Sequence, residues 1–406
     1  MSNTLKFTDM VAREAQEIAH EKCSFIGTTD LQYDDSFAKA GAKIGSALRV
    51  RKPNKYTRTQ GSRVMNVQDQ NEAAQSITIA TQDHVDMRFN SAELTLDTDS
   101  PEQVADFSKR YIEPAVSVLV SGIESDYLAY ASKATWNLAG TAGTPITDLS
   151  VPGLARAKLN QSLAPKDGNR FIQADSITMS SIVNGLKGLF QDSSQIKEQY
   201  REGMMGRTAM ADWYENERCW TLPNSADVAG TLDTYTVTEG DADITVTGLS
   251  AAPVAGMVFT MAGCYAVHPE TKATLPHLQQ FVVGTGSTTT NVVFSPAPYT
   301  SASGALQNVS AMPDTTAAVA FVGALSTNYV QPLMYHKEAF QFVTADLPLM
   351  DDAHKCSRRV KDGLSLRVWM ASDIRNDELL MRIDILYGFA ALRPEWACRM
   401  IGSAAA

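Results

Sequence analysis

The chain carries little with which to do covalent chemistry. Among its 406 residues there is no Cys-x-x-Cys and no His-Glu-x-x-His, the spacings that close on zinc. There is no Gly-x-Ser-x-Gly either, so no nucleophile sits on a strand-to-helix elbow. Gly284-Thr-Gly286-Ser lacks the Lys-Ser/Thr of a phosphate loop and has the composition of a hairpin turn. Asp241-Ala-Asp243 lacks the glycine and terminal glutamate of a calcium loop, which leaves a turn cap. His268 and His277, each beside a proline, are expected to be turn histidines rather than ligands. Cysteine is scarce: Cys23, Cys219, Cys264, Cys356 and Cys398 are odd in number and far apart, which suits reduced thiols made in a cytoplasm better than a disulfide framework. Cys356 has His354 and Arg358 nearby, a setting that lowers a thiol pKa, but one such cysteine is a weak nucleophile signal. No catalytic residue, cofactor or metal ligand is expected.

Long apolar runs are also missing. The longest reach about nine residues, near 115–123 and 317–325, too short to span a bilayer. The start, Met-Ser-Asn-Thr-Leu-Lys, has no apolar core, so no leader peptide is expected. Basic charge is in deficit, 35 Lys and Arg against 45 Asp and Glu, for a formal net charge of −10. That balance argues against tight wrapping of nucleic acid. With 44% apolar and 20% charged residues the chain has the composition of a folded globular protein.

What is present is a strong helical beam from Tyr111 to Ala134. Ala115, Leu119, Ile123 and Tyr127 recur every four residues, and Val116, Val120 and Tyr130 widen the stripe. Pro114 stands in the first turn, where its missing N–H has no helical partner, and Glu113 complements the dipole. Before it, residues 6–22 have helical period, a short arm that docks on its own subunit or on another. Ser100-Pro101-Glu102-Gln103 is a capping box opening a helix that runs directly into the beam.

Charge is segregated between the arm and the beam. Ser36 to Gln68 holds Lys39, Lys43, Arg49, Arg51, Lys52, Lys55, Arg58 and Arg63 and no acid; Asp69 to Asp106 holds nine acids and one base, Arg88. Ser76–Ile79 and Glu93–Leu96 alternate as strands. A polar hairpin with one basic and one acidic limb is suited to lying across another subunit. A nucleic-acid surface would interleave aromatics for stacking, and the basic limb has only Tyr56.

Residues 148–222 suggest mixed α/β structure, with a strand at Ser176-Ile-Thr-Met179, a helix from Ser180 to Gln191 and a loop-rich stretch from Ser194. From Asp227 to Asn328 there is a single base, Lys272. Short Thr- and Val-rich strands at Tyr235, Ile244, Met257, Phe281 and Asn291 alternate with turns, the texture of a barrel or sandwich. Residues 226–326 are therefore expected to form an inserted all-β domain. Strands at Leu364–Met370 and Met381–Tyr387 close the chain.

Tyr200-Arg-Glu-Gly, the stretch Tyr335–Pro348, and Met381–Glu395 with its Tyr-Gly-x-x-Ala-x-Arg-Pro-Glu together resemble the major capsid (coat) proteins of tailed phages, of the phage P-22 coat type. The resemblance runs through most of the chain in order. It implies an α+β, Hong Kong 97-type capsid fold with an inserted β-barrel: arm 1–35, extended loop 46–96, peripheral domain with the spine helix 97–139, axial domain 140–225 and 327–375 around the insertion, and a final peripheral strand 376–406. It implies self-association into pentamers and hexamers, a scaffolding protein, a portal protein, enclosed double-stranded DNA without tight binding, no membrane, and residence in the virion. Arg49, Arg51, Lys52, Lys55, Arg58, Arg63, Asp69 and Glu72 would make inter-subunit contacts, and Glu14 or Glu17 the scaffold contact. The rival from another class is a β-rich adhesin or decoration module on an α/β body. It would need an exposed aromatic cluster, and the insertion has only Tyr235, Tyr265, Tyr299 and a few Phe.

Overall fold

The computed structural model describes residues 12–13, 15, 17, 23–34, 47–61, 63–65, 67–68, 74–90, 108–186, 206–224, 229–232, 237–350, 355–361 and 363–403. Much of the 6–22 arm, the capping box at 100–103, the strand at Glu93–Leu96 and the stretch from 187 to 205 lie outside them. The chain divides into two compact units, one of Met1–Val50, Ala74–Tyr127 and Phe340–Ala390, the other of Arg51–Ala73, Leu128–Ala339 and Ala391–Ala406.

The beam is a 22-residue helix, Glu113–Ala134. Its stripe is buried at Val116, Leu119, Val120, Ile123, Tyr127, Leu128 and Ala131, while Val118, Gly122, Ser125 and Asp126 face outward. In the first unit Tyr127 meets Phe25, Phe342 and Phe389 at ring-centroid distances of 4.7, 5.4 and 5.3 Å. Each such aromatic pair adds about 0.5–1.5 kcal/mol beyond burial. Glu124, on the same buried face, is fully enclosed; its carboxylate accepts from the backbone N–H of Phe25 at 2.5 Å and from Ser24 Oγ at 3.1 Å. The beam therefore ties down the short helix Ser24–Thr28 through a charge-assisted hydrogen bond.

The sheet of this unit follows the order Asp30–Asp34, Phe340–Ala345, Glu378–Ala391, Leu364–Asp373, Lys355–Lys361, with Thr81–Asn90 paired to Glu378–Ala391. Glu378–Ala391 alternates as expected, but both its faces are buried: Asp384 and Leu386 are enclosed along with Met381, Ile383, Ile385 and Tyr387. Asp384 is neutralised by Arg367 on the neighbouring strand, with Arg367 Nε at 3.0 Å and Nη2 closing the fork, while Gln82 Nε2 donates to it at 2.9 Å. Three strands thus converge on one buried carboxylate.

In the second unit a sheet of order Leu138–Ala139, Ala397–Met400, Leu333–His336, Arg170–Ala174, Ala211–Glu215, Arg207–Thr208 carries helices Ser150–Gln161 and Ser176–Leu186. The strand expected at Ser176–Met179 is the first turn of the second helix. Asp175 precedes it and its Oδ2 accepts from Thr178 N at 3.1 Å, an N-cap that outweighs the β-branched Ile-Thr pair.

From this sheet a two-stranded antiparallel stalk, Thr221–Asn224 with Thr327–Val330, leads out and back. Beyond it a closed barrel runs in the order Ala229–Leu232, Asp243–Thr247, Asn291–Ser295, Thr274–Val283, Val258–Val267, Ala318–Phe321. Closure leaves no sheet edge to pair with other chains. Its core is aromatic: Phe259 lies 5.6, 5.9 and 5.4 Å from the rings of Phe281, Phe294 and Phe321. Cys264 is enclosed there, and burial pushes its thiol up to about 12. Of the expected strands, the one at Tyr235 is not formed at Val237 and Thr238, and residues 233–236 lie outside the described set. Asp241 caps that turn, accepting from Thr238 N at 2.7 Å. His268 is a turn histidine whose Nδ1 accepts from Thr271 N at 3.2 Å, but His277 sits within the strand Thr274–Val283.

Candidate assembly interface

The basic limb is the first place to look for a surface that the chain leaves open. Ala47–Arg51 pairs with Ala74–Thr78 in a two-stranded sheet. Between them residues 52–61, 63–65 and 67–68 have no regular structure. Gln68 closes this excursion: its Nε2 donates to Thr57 O at 2.6 Å and its Oε1 accepts from Thr57 N at 2.8 Å. A side-chain amide thus replaces a pair of ladder bonds and holds the ends of a loop of about ten residues together. At its tip Val64, Met65 and Val67 are 79%, 83% and 77% exposed. Arg51, Lys55, Arg58 and Arg63, in the same stretch of chain, are exposed too, with Arg58 Nη2 donating to Gln60 Oε1 at 2.9 Å. A segment that exposes apolar and cationic side chains together has the composition of a docking element.

Lys52 behaves differently from its neighbours. It is half-buried and its pKa is lowered, first by that burial, against the opposing pull of Glu395 and with Arg393 and Lys55 adding to the lowering. Arg393 itself stacks on Trp396, its guanidinium carbon 4.1 Å from the ring centroid. Lys52 at the root of the loop thus lies within electrostatic reach of Glu395 and Arg393. Arg49 lies on the strand Ala47–Arg51, and Asp69 and Glu72 lie outside the described residues.

The acidic limb corrects the sequence reading. Ala74–Thr78 does pair with the basic limb, but Thr81–Asn90 does not continue that hairpin: it pairs residue for residue with Glu378–Tyr387, from Asn90 opposite Glu378 to Thr81 opposite Tyr387. Its acids are engaged there: Asp86 meets Arg382 at 3.2 Å, and Asp83 accepts from Tyr387 Oη at 2.7 Å. Of the two candidate scaffold residues, Glu17 is exposed and pairs with Arg13 one turn earlier at 3.2 Å, while Glu14 lies outside the described residues.

Nothing in the described residues gathers for catalysis. No group of three His, Cys, Asp or Glu there could hold a metal, and no helix is long and apolar enough to cross a membrane. One enclosed cleft in the first unit is wholly apolar, lined by Cys23, Ile26, Leu119, Phe342, Leu366 and Ile385 among others, with no polar group to orient a substrate. Cys356 lies on the edge strand Lys355–Lys361, and its neighbour His354 lies outside the described residues. Barrel acids serve the fold: Glu239 accepts from Thr300 N at 2.9 Å and from the hydroxyls of Thr300 and Ser303. The single barrel cation, Lys272, donates to Ala305 O at 2.9 Å and Gln307 O at 3.1 Å.

The chain thus combines an α+β body, a long buried beam and an exposed extended loop with a closed barrel carried on a two-stranded stalk. Residues 218–402 match the family described as P22 coat protein, gene protein 5. No curated protein sequence matches it. Among solved structures it is similar to the capsid of Ralstonia phage GP4 (7% identity, TM-score 0.48, covering 93% of this chain and 87% of that one). A second likeness is to a structure from Mycobacterium phage Che8 (10% identity, TM-score 0.45, 91% and 88%). A third, to the CUS-3 coat protein I-domain, has 28% identity and a TM-score of 0.20 over 23% of this chain and 95% of that one.

Proposed function

We propose that the subunit builds the phage head as pentamers and hexamers, with the loop tip of one copy seated on the next. The observation that supports this is the loop itself: Val64, Met65 and Val67 lie open to solvent on an excursion closed by Gln68, and Arg51, Lys55, Arg58 and Arg63 in the same stretch are exposed as well. Arg49, Lys52, Asp69 and Glu72 belong to the same contact in this reading. Exposed ion pairs each contribute about 0–1 kcal/mol and fade with salt. A lattice repeats such a term at every equivalent contact, so single additions stay reversible while the closed shell becomes stable.

The subunit would be made in the host cytoplasm and would assemble around a scaffolding protein that contacts Glu14 or Glu17, with a portal protein at one vertex. Its acidic balance suits a container that encloses double-stranded DNA without gripping it. It has no catalytic turnover in this reading, and residues 226–326 form a barrel that folds as a unit of its own. Co-expression with the phage scaffolding protein, followed by electron microscopy of the particles, tests the proposal. Wild-type chain should give closed shells. R51E/R58E/R63E should give folded subunits that no longer close, and normal particles from that variant would remove the loop from the contact.

A further inference from the structure

The loop that carries the exposed valines and arginines has little of its own to hold it in shape. The strand Ala47–Arg51 ends before it and Ala74–Thr78 begins after it. Residues 52–61, 63–65 and 67–68 between them have no regular structure. Val64, Met65 and Val67 are too exposed for burial to fix them, and the Arg58–Gln60 hydrogen bond is local to the loop. A segment that orders only on docking loses its conformational entropy at the contact, and so binds more weakly than one already in shape.

Gln68 supplies the missing order. Its Nε2 donates to Thr57 O at 2.6 Å while its Oε1 accepts from Thr57 N at 2.8 Å. Facing residues of two antiparallel strands exchange the same pair of bonds, so the side chain acts as one rung of a ladder where no second strand provides it. The rung joins residues 11 apart in sequence and encloses 58–67, which contains Arg58, Arg63, Val64, Met65 and Val67. Few side chains can make it. The rung needs a donor and an acceptor in one plane at the end of a two-carbon arm; asparagine is one carbon shorter, ionised glutamate has no donor and lysine has no acceptor.

Resting on the loop contact proposed above, we infer that Gln68 is the positioning residue of that contact: its amide closes the excursion in the free subunit, and the tip meets the next copy already shaped. Gln68 acts within its own subunit, through Thr57, and the exposed side chains of 58–67 do the touching. The device sets a threshold. When only a closed loop can dock, apparent affinity scales with the fraction of subunits whose loop is closed, and Gln68 keeps that fraction high.

The test compares full-length wild type, Q68A and Q68E. Trypsin cleavage at Arg58 and Arg63 in the unassembled subunit reads loop order, and thermal melting reads the fold. Light scattering, with the scaffolding protein proposed as partner, reads the concentration at which shells close. Q68A should be cut faster, melt as wild type does, and close only at a concentration raised on the order of tenfold, the scale of one or two net hydrogen bonds. Q68E carries a pH signature. Ionised, it turns a lone pair towards Thr57 O; protonated, it donates there and accepts from Thr57 N as glutamine does. The ratio of its closing concentration to that of wild type should fall towards unity as pH drops to about 4.3, the ordinary glutamate value, while the Q68A ratio stays flat. Q68A closing at the wild-type concentration, or losing closure together with its melting midpoint, would overturn the inference. The two readings fail separately. If R51E/R58E/R63E prevents closure and Q68A does not, the contact stands and Gln68 has no part in it; if R51E/R58E/R63E closes normally, both fall.

Discussion

The Arg367–Asp384 pair gives a sharp test of how the first unit is held together. Both side chains are buried, at 4% and 0% exposure, and the carboxylate also accepts from Gln82 on a third strand. In D384A the Arg367 guanidinium would lose its counter-charge while keeping only Pro348 O, 2.7 Å from Nη1. Breaking a buried pair from one side costs about 3–5 kcal/mol, a large part of the roughly 5–15 kcal/mol that stabilises an ordinary domain. Removing both charges at once has a different effect. In R367M/D384L no charge is left buried, and what remains are the unmet groups of Gln82 and Pro348, at about 1–3 kcal/mol each. The double variant should therefore be more stable than D384A alone. Urea unfolding of the monomeric subunit reads the difference, with fluorescence of Trp369 as a local probe because Arg367 lies over its ring at 5.2 Å. If the losses in R367M and D384A simply added in the double variant, the pair would not be the coupled anchor described here.

Other expectations are as direct. F259A removes the ring at the centre of the barrel's aromatic cluster and should cost about 3–5 kcal/mol, seen as faster hydrogen exchange of barrel amides. G185A should destabilise, although Ala for Gly within a helix usually gains about 1 kcal/mol, because the added Cβ would lie 1.7 Å from Thr147 O; a raised melting temperature would contradict this. Burial opposes ionisation of Asp167, but hydrogen bonds from Asn169 N, Asn169 Nδ2 and His336 outweigh it and hold its carboxyl down to about 2. A folded pKa below the unfolded value near 3.8 gives stability that is complete above that value and lost as pH falls through about 2. Acid denaturation of D167N should accordingly begin from a lower stability and show a shallower loss in that window.

The sequence made some of this legible and hid the rest for identifiable reasons. The beam was readable because its stripe, its proline and its terminal charges agree, and the structure places the helix at Glu113–Ala134. The Thr- and Val-rich strands of the insertion were readable because period two and turn residues coincide, and Ile244, Phe281 and Asn291 each fall on a barrel strand. Ser176–Met179 misled because a β-branched pair outweighed the Asp175 cap in the reading. Glu124 and Asp384 escaped notice because a lone acid in an apolar pattern does not announce its partner, and Phe25 and Arg367 lie 99 and 17 residues away. Thr81–Asn90 was misplaced because Asp83 and Asp86 looked solvated, whereas Tyr387 and Arg382 across the sheet engage them.

The central claim is that copies of this chain tile a closed container. Electron microscopy and sedimentation of the purified chain, alone and with the scaffolding protein proposed as its partner, measure that most directly. Closed particles of uniform diameter are the predicted result; a chain that stays a single species at every concentration and salt, with its scaffolding protein present, would contradict it.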